Sequence, residues 1–288
     1  HRRHTMAAMA FIGSDALRSG RLTRGQLRWN HTAVHPDVYV PKDANLTLAL
    51  RTAAAALWVP GGTITGRAAA ALHGAAFVAD DTPIEVVGRS RRPQPGVIVR
   101  SELIADDETT TVAGLTVSTP VRTALDLARH LPRMRAVAHL DALAAATGLS
   151  PPDVLSLAAR YPGARGIRRA RQRVQLLDPG AQSPRESWLR LLVIDAGFPR
   201  PETQIEVRRP GFTAFIDMGW RALKIGLEYD GDLHLSDRGR YVRDIGRHET
   251  LGGLGWLMIR VVKEHSRAYI LHRVHEAFRL RGPLAKSA

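Results

Sequence analysis

Acidic side chains gather near the ends of two neighbouring apolar runs in the C-terminal part of the sequence. The run IGLEYDGDLHLSD begins as an apolar strand and contains Glu228, Asp230 and His234. An earlier run, FTAFIDMGW, carries Asp217. Alternate residues of a strand share a face, so Glu228 and Asp230 point the same way. A tight turn at residues 221–222 would bring Asp217 beside Glu228.

Converging carboxylates of this kind favour a cation site. They repel one another, so they either bind protons at higher pH or hold a cation. The chain has no cysteine, and oxygen ligands favour Mg²⁺ or Mn²⁺. Such an ion, held by Asp217 and Glu228, activates a water for attack on a phosphodiester. His234 is a candidate general acid or base, and Arg243 and Arg247, one helical turn apart, are candidate phosphate clamps.

The alternative for Asp217 and Glu228 is a structural ion pair with arginine.

The chain of 288 residues carries a formal charge of +14, and its pI is near 11.2. Residues 1–180 hold 23 Lys/Arg and 14 Asp/Glu, and residues 181–288 hold 18 and 13. Most of the basic residues are arginine, which binds phosphate in a bidentate manner. This balance indicates a nucleic-acid partner, although a merely solvated basic surface is the alternative.

The segment 14–40 predicts a winged helix-turn-helix. Two short helices flank a turn, and the second, TRGQLRW, carries Arg24 and Arg28 on its exposed face. The following VHPDVYV alternates around a turn as a wing would. In this arrangement the second helix enters the major groove, so double-stranded DNA is the predicted partner. Another small helical subdomain would give a similar pattern.

The rest of the first half predicts an α/β region. IEVVGRS and GVIVRSEL predict two strands of a hairpin, and ADDETTT predicts an acidic surface loop. GARGIRRARQRVQLLD predicts a basic amphipathic helix, in which Arg165, Arg168 and Arg169 would contact a nucleic-acid backbone unless they form only a solvated face. Turn-rich DPGAQSP marks a boundary, so we expect domains at 7–180 and 181–288.

The second half predicts a mixed sheet covered by helices. Its order is helix, three strands, helix, strand and helix. The fold class is therefore α+β, a winged helix with an α/β region, followed by an α/β domain. No apolar run reaches the ~20 residues of a membrane span. The start HRRHTMAAMA resembles a tag remnant more than a signal peptide, and with no cysteine a cytoplasmic location is expected.

The spacing of the C-terminal motif resembles the very-short-patch-repair-like branch of the PD-(D/E)XK nuclease superfamily. The resemblance covers about residues 181–282 and rests on Asp217, EYDG at 228–231, His234, RD at 243–244 with Arg247, and GWLMIR at 255–260. It implies a restriction-endonuclease-like fold. It also implies metal ligation by Asp217, Glu228 and the carbonyl of Tyr229.

Two positions need separate treatment under that resemblance. Asp230 stands where many superfamily members carry a catalytic lysine, for which Lys224 or Lys263 would be the substitute. Glu186 matches an acid on the family's first helix. Equally, it fits a capping box that starts at Ser183, so both interpretations stay open.

The first half resembles, more loosely, the AbiEi-type antitoxins and regulators of type IV toxin–antitoxin systems. The matching segments are the winged-helix outline, TGRAAAALHG and STPVRTALDLA. Together the patterns predict a DNA-binding, Mg²⁺-dependent endonuclease acting in repair, defence or a toxin–antitoxin setting. The alternatives are a non-catalytic regulator or antitoxin that keeps a nuclease fold, and a nuclease that acts on RNA.

Overall fold

The structure is a computed structural model that describes residues 10–89, 92–231 and 238–282, with only the backbone of 238–243. His234 therefore lies outside the described residues. The chain forms two compact units, His1–Leu177 and Asp178–Ala288. The division falls at the start of the turn-rich DPGAQSP segment. No helix in the described part of the chain is long and apolar enough to cross a membrane.

The first unit begins with two short helices and a small sheet, which are the elements of the predicted winged helix-turn-helix. Its elements are β1 (Phe11–Ile12), α1 (Gly13–Arg18), α2 (Arg24–Asn30), β2 (His31–His35) and β3 (Val38–Pro41). The strands form one antiparallel sheet in the order β1-β3-β2. Thr23 and Gln26 form a capping box that fixes the start of α2, as Ser or Thr followed by Gln three residues later favours. The predicted helix pair and wing are both present.

A five-stranded sheet follows the winged helix. Its order is β6-β5-β4-β8-β7, with elements α3 (Leu48–Trp58), β4 (Thr63–Thr65), α4 (Gly66–Leu72), β5 (Ile84–Val87), β6 (Val97–Arg100), β7 (Thr109–Val112) and β8 (Leu115–Ser118). The predicted hairpin of β5 and β6 is wrong, because these strands pair in parallel. Strand patterns give the elements but not the direction of their pairing.

Four helices complete the first unit, and they share one apolar core. They are α5 (Pro120–His130), α6 (Arg133–Thr147), α7 (Pro151–Ala159) and α8 (Ile167–Val174). Leu125, Leu140, Val154 and Val174, one from each helix, are fully buried in the same cluster. The core therefore fixes the basic helix α8 against α5, with which it has extensive contacts.

The second unit is a four-stranded mixed sheet in the order β12-β11-β10-β9. Its elements are α9 (Pro184–Asp195), β9 (Glu202–Arg209), β10 (Phe212–Trp220), β11 (Ile225–Tyr229), α10 (Arg238–Gly253), β12 (Leu257–Val261) and α11 (Arg267–Arg281). β9, β10 and β11 are antiparallel neighbours, whereas β12 is parallel to β11. The predicted element order is confirmed, and the chain has an α+β fold.

Two apolar clusters hold this sheet to its helices. One contains Leu189 of α9, Leu227 of β11 and Val274 of α11; the other contains Ile216 of β10 and Leu251 of α10. Together they fix α9 and α10 relative to the strands. The helices can therefore present side chains to the ends of β10 and β11.

Candidate functional site

Asp217 and Glu228 lie side by side on neighbouring strands, as their spacing predicts. β10 and β11 are antiparallel, with Met218 opposite Leu227. Continuing this register by one residue places Asp217 opposite Glu228. The Tyr229 backbone N–H donates a hydrogen bond to Asp217 Oδ2 at 3.0 Å. On the other side of β10, Gln204 faces Asp217 with φ of 49°. This left-handed conformation is uncommon for a non-glycine residue, and such outliers cluster at functional sites.

The carboxyl group of Asp217 sits in an electrostatically unfavourable place. Burial first, and then the charges of the nearby acids Glu186 and Glu228, raise its pKa to about 7, against the opposing effects of the Tyr229 N–H and Arg247. No arginine, lysine or histidine of the side chains that the structure describes forms an ion pair with Asp217. A group in this position takes up a proton or a cation.

Glu228, in contrast, already has a cationic partner. Its side chain is buried, and Arg247 of α10 donates from Nη1 to Oε2 at 3.1 Å and from Nη2 to Oε1. The same guanidinium donates to the carbonyl of Phe215 at 2.7 Å. His248 Nε2 lies 3.5 Å from Oε2. The ion pair that was the structural alternative for Glu228 is therefore present, and His248, which the sequence did not single out, joins it.

Glu186 takes part in capping α9, and its predicted role in the site stays a prediction. Its N–H donates to Ser183 Oγ at 3.1 Å, which caps α9, while its carboxylate accepts from the backbone N–H of Gln182 at 2.8 Å. The return bond of the capping box thus goes one residue earlier than predicted. Burial raises the pKa of Glu186, and its charge is close enough to Asp217 to raise that pKa too.

Asp230 belongs to an ion-pair network next to the acids. It pairs with Arg260 of β12, and Arg260 Nη2 also lies 3.0 Å from Asp244 Oδ2. Asp244 in turn lies 3.6 Å from Arg247 and from His248. Asp230 therefore holds an arginine at the position where the resembling nucleases carry a lysine.

The predicted lysine substitute Lys224 lies at the far end of β11. Its Nζ donates to the Leu254 carbonyl at 2.9 Å, and four residues of strand separate it from Glu228 by about 13 Å. Lys263 follows the end of β12, the sheet edge where Glu228 lies. Only the backbone of Arg243 is described, within α10, so its predicted phosphate contact stays a prediction.

Tyr229 packs beside the acids. Its ring meets Trp188 edge-on at 6.3 Å, and Arg185 lies 5.8 Å above it. Both partners belong to α9, so the ring ties the start of that helix to the end of β11. The predicted metal contact of the Tyr229 carbonyl remains untested.

The residue types at the candidate site fit the predicted metal, but the positions of their side chains do not form a ready-made metal site. The acid types suit Mg²⁺ or Mn²⁺, but among the described side chains only Glu102, Asp126 and His130 bring three ligand atoms within 4.8 Å of one another. The carboxylate oxygens of Asp217, Glu228 and Glu186 therefore do not all lie within 4.8 Å of one another. An ion bound by Asp217 and Glu228 would compete with Arg247 for the charge of Glu228.

The trio in the first unit is an ion-pair network and not a metal centre. Arg129 Nη1 lies 2.7 Å from Glu102 and 3.2 Å from Asp126, so a guanidinium supplies the positive charge. A hydrogen bond from His130, with Arg129 beside it, holds the pKa of Glu102 at about 2 although burial opposes this. A second cation here would face strong repulsion from Arg129.

This network extends into the segment that was predicted to be an acidic surface loop. Glu108 is buried, and it pairs with the fully buried Arg122 and with Tyr161. Arg122 also pairs with Asp126 at 3.0 Å. The surface prediction is therefore wrong for Glu108. The available signal was Arg122 and Asp126, four residues apart on the core side of the apolar helix α5.

The two predicted nucleic-acid residues of the winged helix lie where its second helix faces solvent. Arg24 and Arg28 are exposed and four residues apart on α2. The guanidinium of Arg28 lies 5.4 Å above the ring of Trp29, which is 67% exposed. Trp29 adds an aromatic surface to the basic helix, and sequence reasoning missed it.

The arginines around α8 divide into two groups. Arg165, Arg168 and Arg169 are exposed, and the latter two line a shallow depression of about 500 Å³ at the start of the helix. Arg173 instead donates to the carbonyls of Ala128 and Leu131, at 2.7 Å each, and completes the end of α5. Three of the five arginines at residues 165–173 therefore face solvent and can meet a polyanion, whereas Arg171, which donates to the Ala158 carbonyl at 3.3 Å, and Arg173 bond to the backbone of neighbouring elements.

The comparisons with known proteins concern mainly the first unit. Residues 52–178 match the model of the AbiEi antitoxin C-terminal domain. This match supports the predicted AbiEi-like region and a toxin–antitoxin or regulatory setting. It includes α3 to α8 and their five-stranded sheet, and it ends where the second unit starts.

Two relatives come from strains of Mycobacterium tuberculosis, and both are named uncharacterised proteins. Each is 32% identical over 181 residues, which is 62% of this chain and 66% of the relative. The match thus spans slightly less than two thirds of either relative. No comparison supports the nuclease resemblance of the second unit.

Proposed function

We propose that this protein binds DNA through its first unit and hydrolyses phosphodiester bonds with Mg²⁺ or Mn²⁺ at the acids of its second unit. Its setting would be that of an antitoxin-like regulator. The observation that carries the catalytic part is the half-buried carboxyl of Asp217, which forms no ion pair with a described side chain. Beside it lie Glu228 and Glu186, whose charges make a cation favourable.

The residues would divide the work as follows. Asp217 and Glu228 would hold the ion, with the carbonyl of Tyr229 as a third ligand. The ion would activate water and neutralise the leaving oxygen. Glu186 would keep the local charge negative, so that a cation is retained. Arg247, once released from Glu228, would bind a phosphate oxygen, because guanidinium matches phosphate in bidentate geometry.

The winged helix and α8 supply the proposed DNA contacts. Arg24 and Arg28 lie on the helix that enters the major groove in such folds. Arg165, Arg168 and Arg169 would contact phosphates. Such contacts position a protein on the duplex but do not distinguish one base sequence from another. His234 and Arg243, which follow the acids in sequence, stay candidates for proton transfer and phosphate binding.

A second function has its own supporting observation. Arg247 occupies both oxygens of Glu228, and Asp230 stands in the lysine position of the resembling nucleases. Such a neutralised site suits a regulator or antitoxin that binds DNA without cutting it. The two functions share the DNA-binding surface and differ only in turnover.

The test is cleavage of supercoiled plasmid and of labelled RNA with Mg²⁺, with Mn²⁺ and with EDTA. Asp217→Asn and Glu228→Gln should abolish metal-dependent cutting, because each removes a charged ligand. Glu276→Gln, which breaks only the exposed pair with Arg279, is the matched control and should cut normally. Tight DNA binding without cutting would favour the regulator. Cutting of RNA alone would replace the DNA assignment.

A further inference from the structure

A cavity of about 290 Å³ lies inside the first unit, away from every residue assigned above to DNA or metal. Its walls come from the wing strands β2 and β3, from α3 and from the neighbouring ends of β5 and β6. Most of the lining is apolar, with Val34, Val40, Leu50, Ala54 and Ile84 as its main side chains. This size and lining resemble the small-ligand pockets of proteins, which are mostly apolar with a few polar groups.

One wall of this cavity carries a positive charge held in place. Arg51 Nη1 donates to the backbone carbonyls of Asp80 and Thr82, which fixes the guanidinium plane. No carboxylate of the described residues forms an ion pair with it; the Asp80 side chain instead accepts from the N–H of Leu48 at 2.7 Å. Gly96, at the cavity wall, lies against Nη2 of Arg51. The remaining N–H groups of Arg51 are therefore available for an anion.

His35 adds a second polar group beside Arg51. Its side chain is buried against Trp58, with ring centroids 5.5 Å apart, and its Nδ1 has no hydrogen-bond partner. Burial, with the charge of Arg51 next, lowers the pKa of His35, so the ring is neutral near pH 7. A buried polar atom without a partner is unusual in a native protein and calls for an explanation.

We propose that this cavity binds a small monocarboxylic acid with an apolar body, because its volume is at the lower end of those of small-ligand pockets and its lining is mostly apolar. The carboxylate pairs with the fixed guanidinium of Arg51. The body fills the space between Val34, Leu50 and Ile84. Arg51 is a good choice for this task because its planar fork matches a carboxylate.

The other residues at the wall support an anionic ligand over a neutral one. Apart from Arg51 and His35, the named lining contributes one hydroxyl, from Thr32. An uncharged ligand would leave the guanidinium, whose described partners are neutral backbone carbonyls, without an anionic partner. A dianion such as phosphate would put its second charge against Val40 and Ile84, where burial without a partner is unfavourable. A single carboxylate on an apolar body meets both conditions.

The test uses hexanoate and benzoate as probes on the whole chain, with hexanamide, benzamide and inorganic phosphate beside them. The expected result is that the two carboxylates raise Tm and bind in calorimetry at concentrations up to about 10 mM. The amides and phosphate should bind at least tenfold more weakly, since they lack the charge or the apolar fit. Equal binding of carboxylate and amide, or no binding by either carboxylate, would overturn the proposal.

Two variants and a control locate the binding. Arg51→Met should weaken carboxylate binding about tenfold or more, and Arg51→Lys should restore part of it. Ala54→Leu should fill the cavity, leave Tm unchanged or higher, and remove binding. Arg18→Met, which breaks only an exposed pair with Asp15, should bind as the wild type does. Unchanged binding in both Arg51→Met and Ala54→Leu would place the ligand elsewhere and exclude this cavity.

Discussion

At the scale of single residues, the two units differ in whether their charged side chains away from solvent have partners of opposite charge. Arg122 is fully buried and meets carboxylates directly, whereas Asp217 is left beside two other acids. The first arrangement is a satisfied network, and the second is an unsatisfied one. Residues with strongly shifted pKa values cluster at functional sites. Asp217 is therefore the first candidate for a functional residue in this protein.

Asp217→Asn should stabilise the protein at high pH. The pKa of Asp217 is about 7 in the folded state against the ordinary aspartate value of 3.8, so the native state holds a proton that the unfolded chain releases. Stability is therefore lost as pH rises from about 4 to about 7. Asparagine does not ionise, so the variant should exceed wild type by roughly 2–4 kcal/mol near pH 8 and by much less near pH 5, in urea unfolding.

Mg²⁺ provides the check on this interpretation of Asp217. The ion should raise the stability of wild type near pH 8, because it binds only the folded site. It should not stabilise Asp217→Asn. Glu276→Gln, whose carboxylate is exposed, should show the response of wild type. If Asp217→Asn were no more stable than wild type at pH 5 or at pH 8, the charge of Asp217 would not destabilise the folded protein.

At the scale of elements, the sequence predicts what local pattern controls. α5 and α9 begin where Thr119 and Ser183 cap them before a proline, and an αL glycine, Gly148, ends α6, so these bounds follow from local signals in the sequence. β10 and β11 follow from apolar alternation and a short turn. These signals lie within a few residues of the structure that they specify.

Partners far apart in sequence were not predictable in this way. Glu108 pairs with Arg122 and Tyr161, which lie 14 and 53 residues away. The parallel pairing of β5 with β6, and the pairing of Glu228 with Arg247, also depend on how whole elements pack. The sequence thus indicates the acids of the candidate site but not that one of them is already neutralised.

The Arg122 network should be essential for the packing of α5. Arg122→Met removes the buried guanidinium that bridges Glu108 and Asp126 and leaves each with one more distant arginine, which should cost about 3–5 kcal/mol of unfolding free energy. The double variant Arg122→Met/Asp126→Asn should recover part of this loss. Arg18→Met, which removes an exposed pair, should cost less than about 1 kcal/mol. A loss in Arg122→Met as small as that in Arg18→Met would show that water enters the network and screens it.

At the scale of the whole molecule, the two compact units should each fold alone. Each has its own apolar cores, and the division lies in a turn-rich segment that begins at Asp178. Fragments of residues 1–177 and 178–288 should each show helical circular dichroism and cooperative urea unfolding. DNA binding should remain with the first fragment, which holds both exposed arginine groups. An unfolded second fragment would mean that its fold depends on the first.

The salt dependence of DNA binding should separate the two arginine groups from the general positive charge. Each phosphate contact adds about 0.9 to the slope of log K against log salt concentration. Arg24→Gln/Arg28→Gln and Arg168→Gln/Arg169→Gln should therefore each lower the slope by about 2, measured by fluorescence anisotropy. The first pair should also reduce any preference for one duplex sequence, because only α2 is placed to enter the major groove.

Arg18→Gln is the control for that experiment, because it removes one positive charge from an exposed residue at the end of α1 that already pairs with Asp15. Its slope should stay that of wild type. If all the variants lowered the slope equally, the protein would be held by its net charge of +14 and not by a surface. If only the α2 pair acted, α8 would be a solvated helix and the winged helix alone would position the chain on DNA.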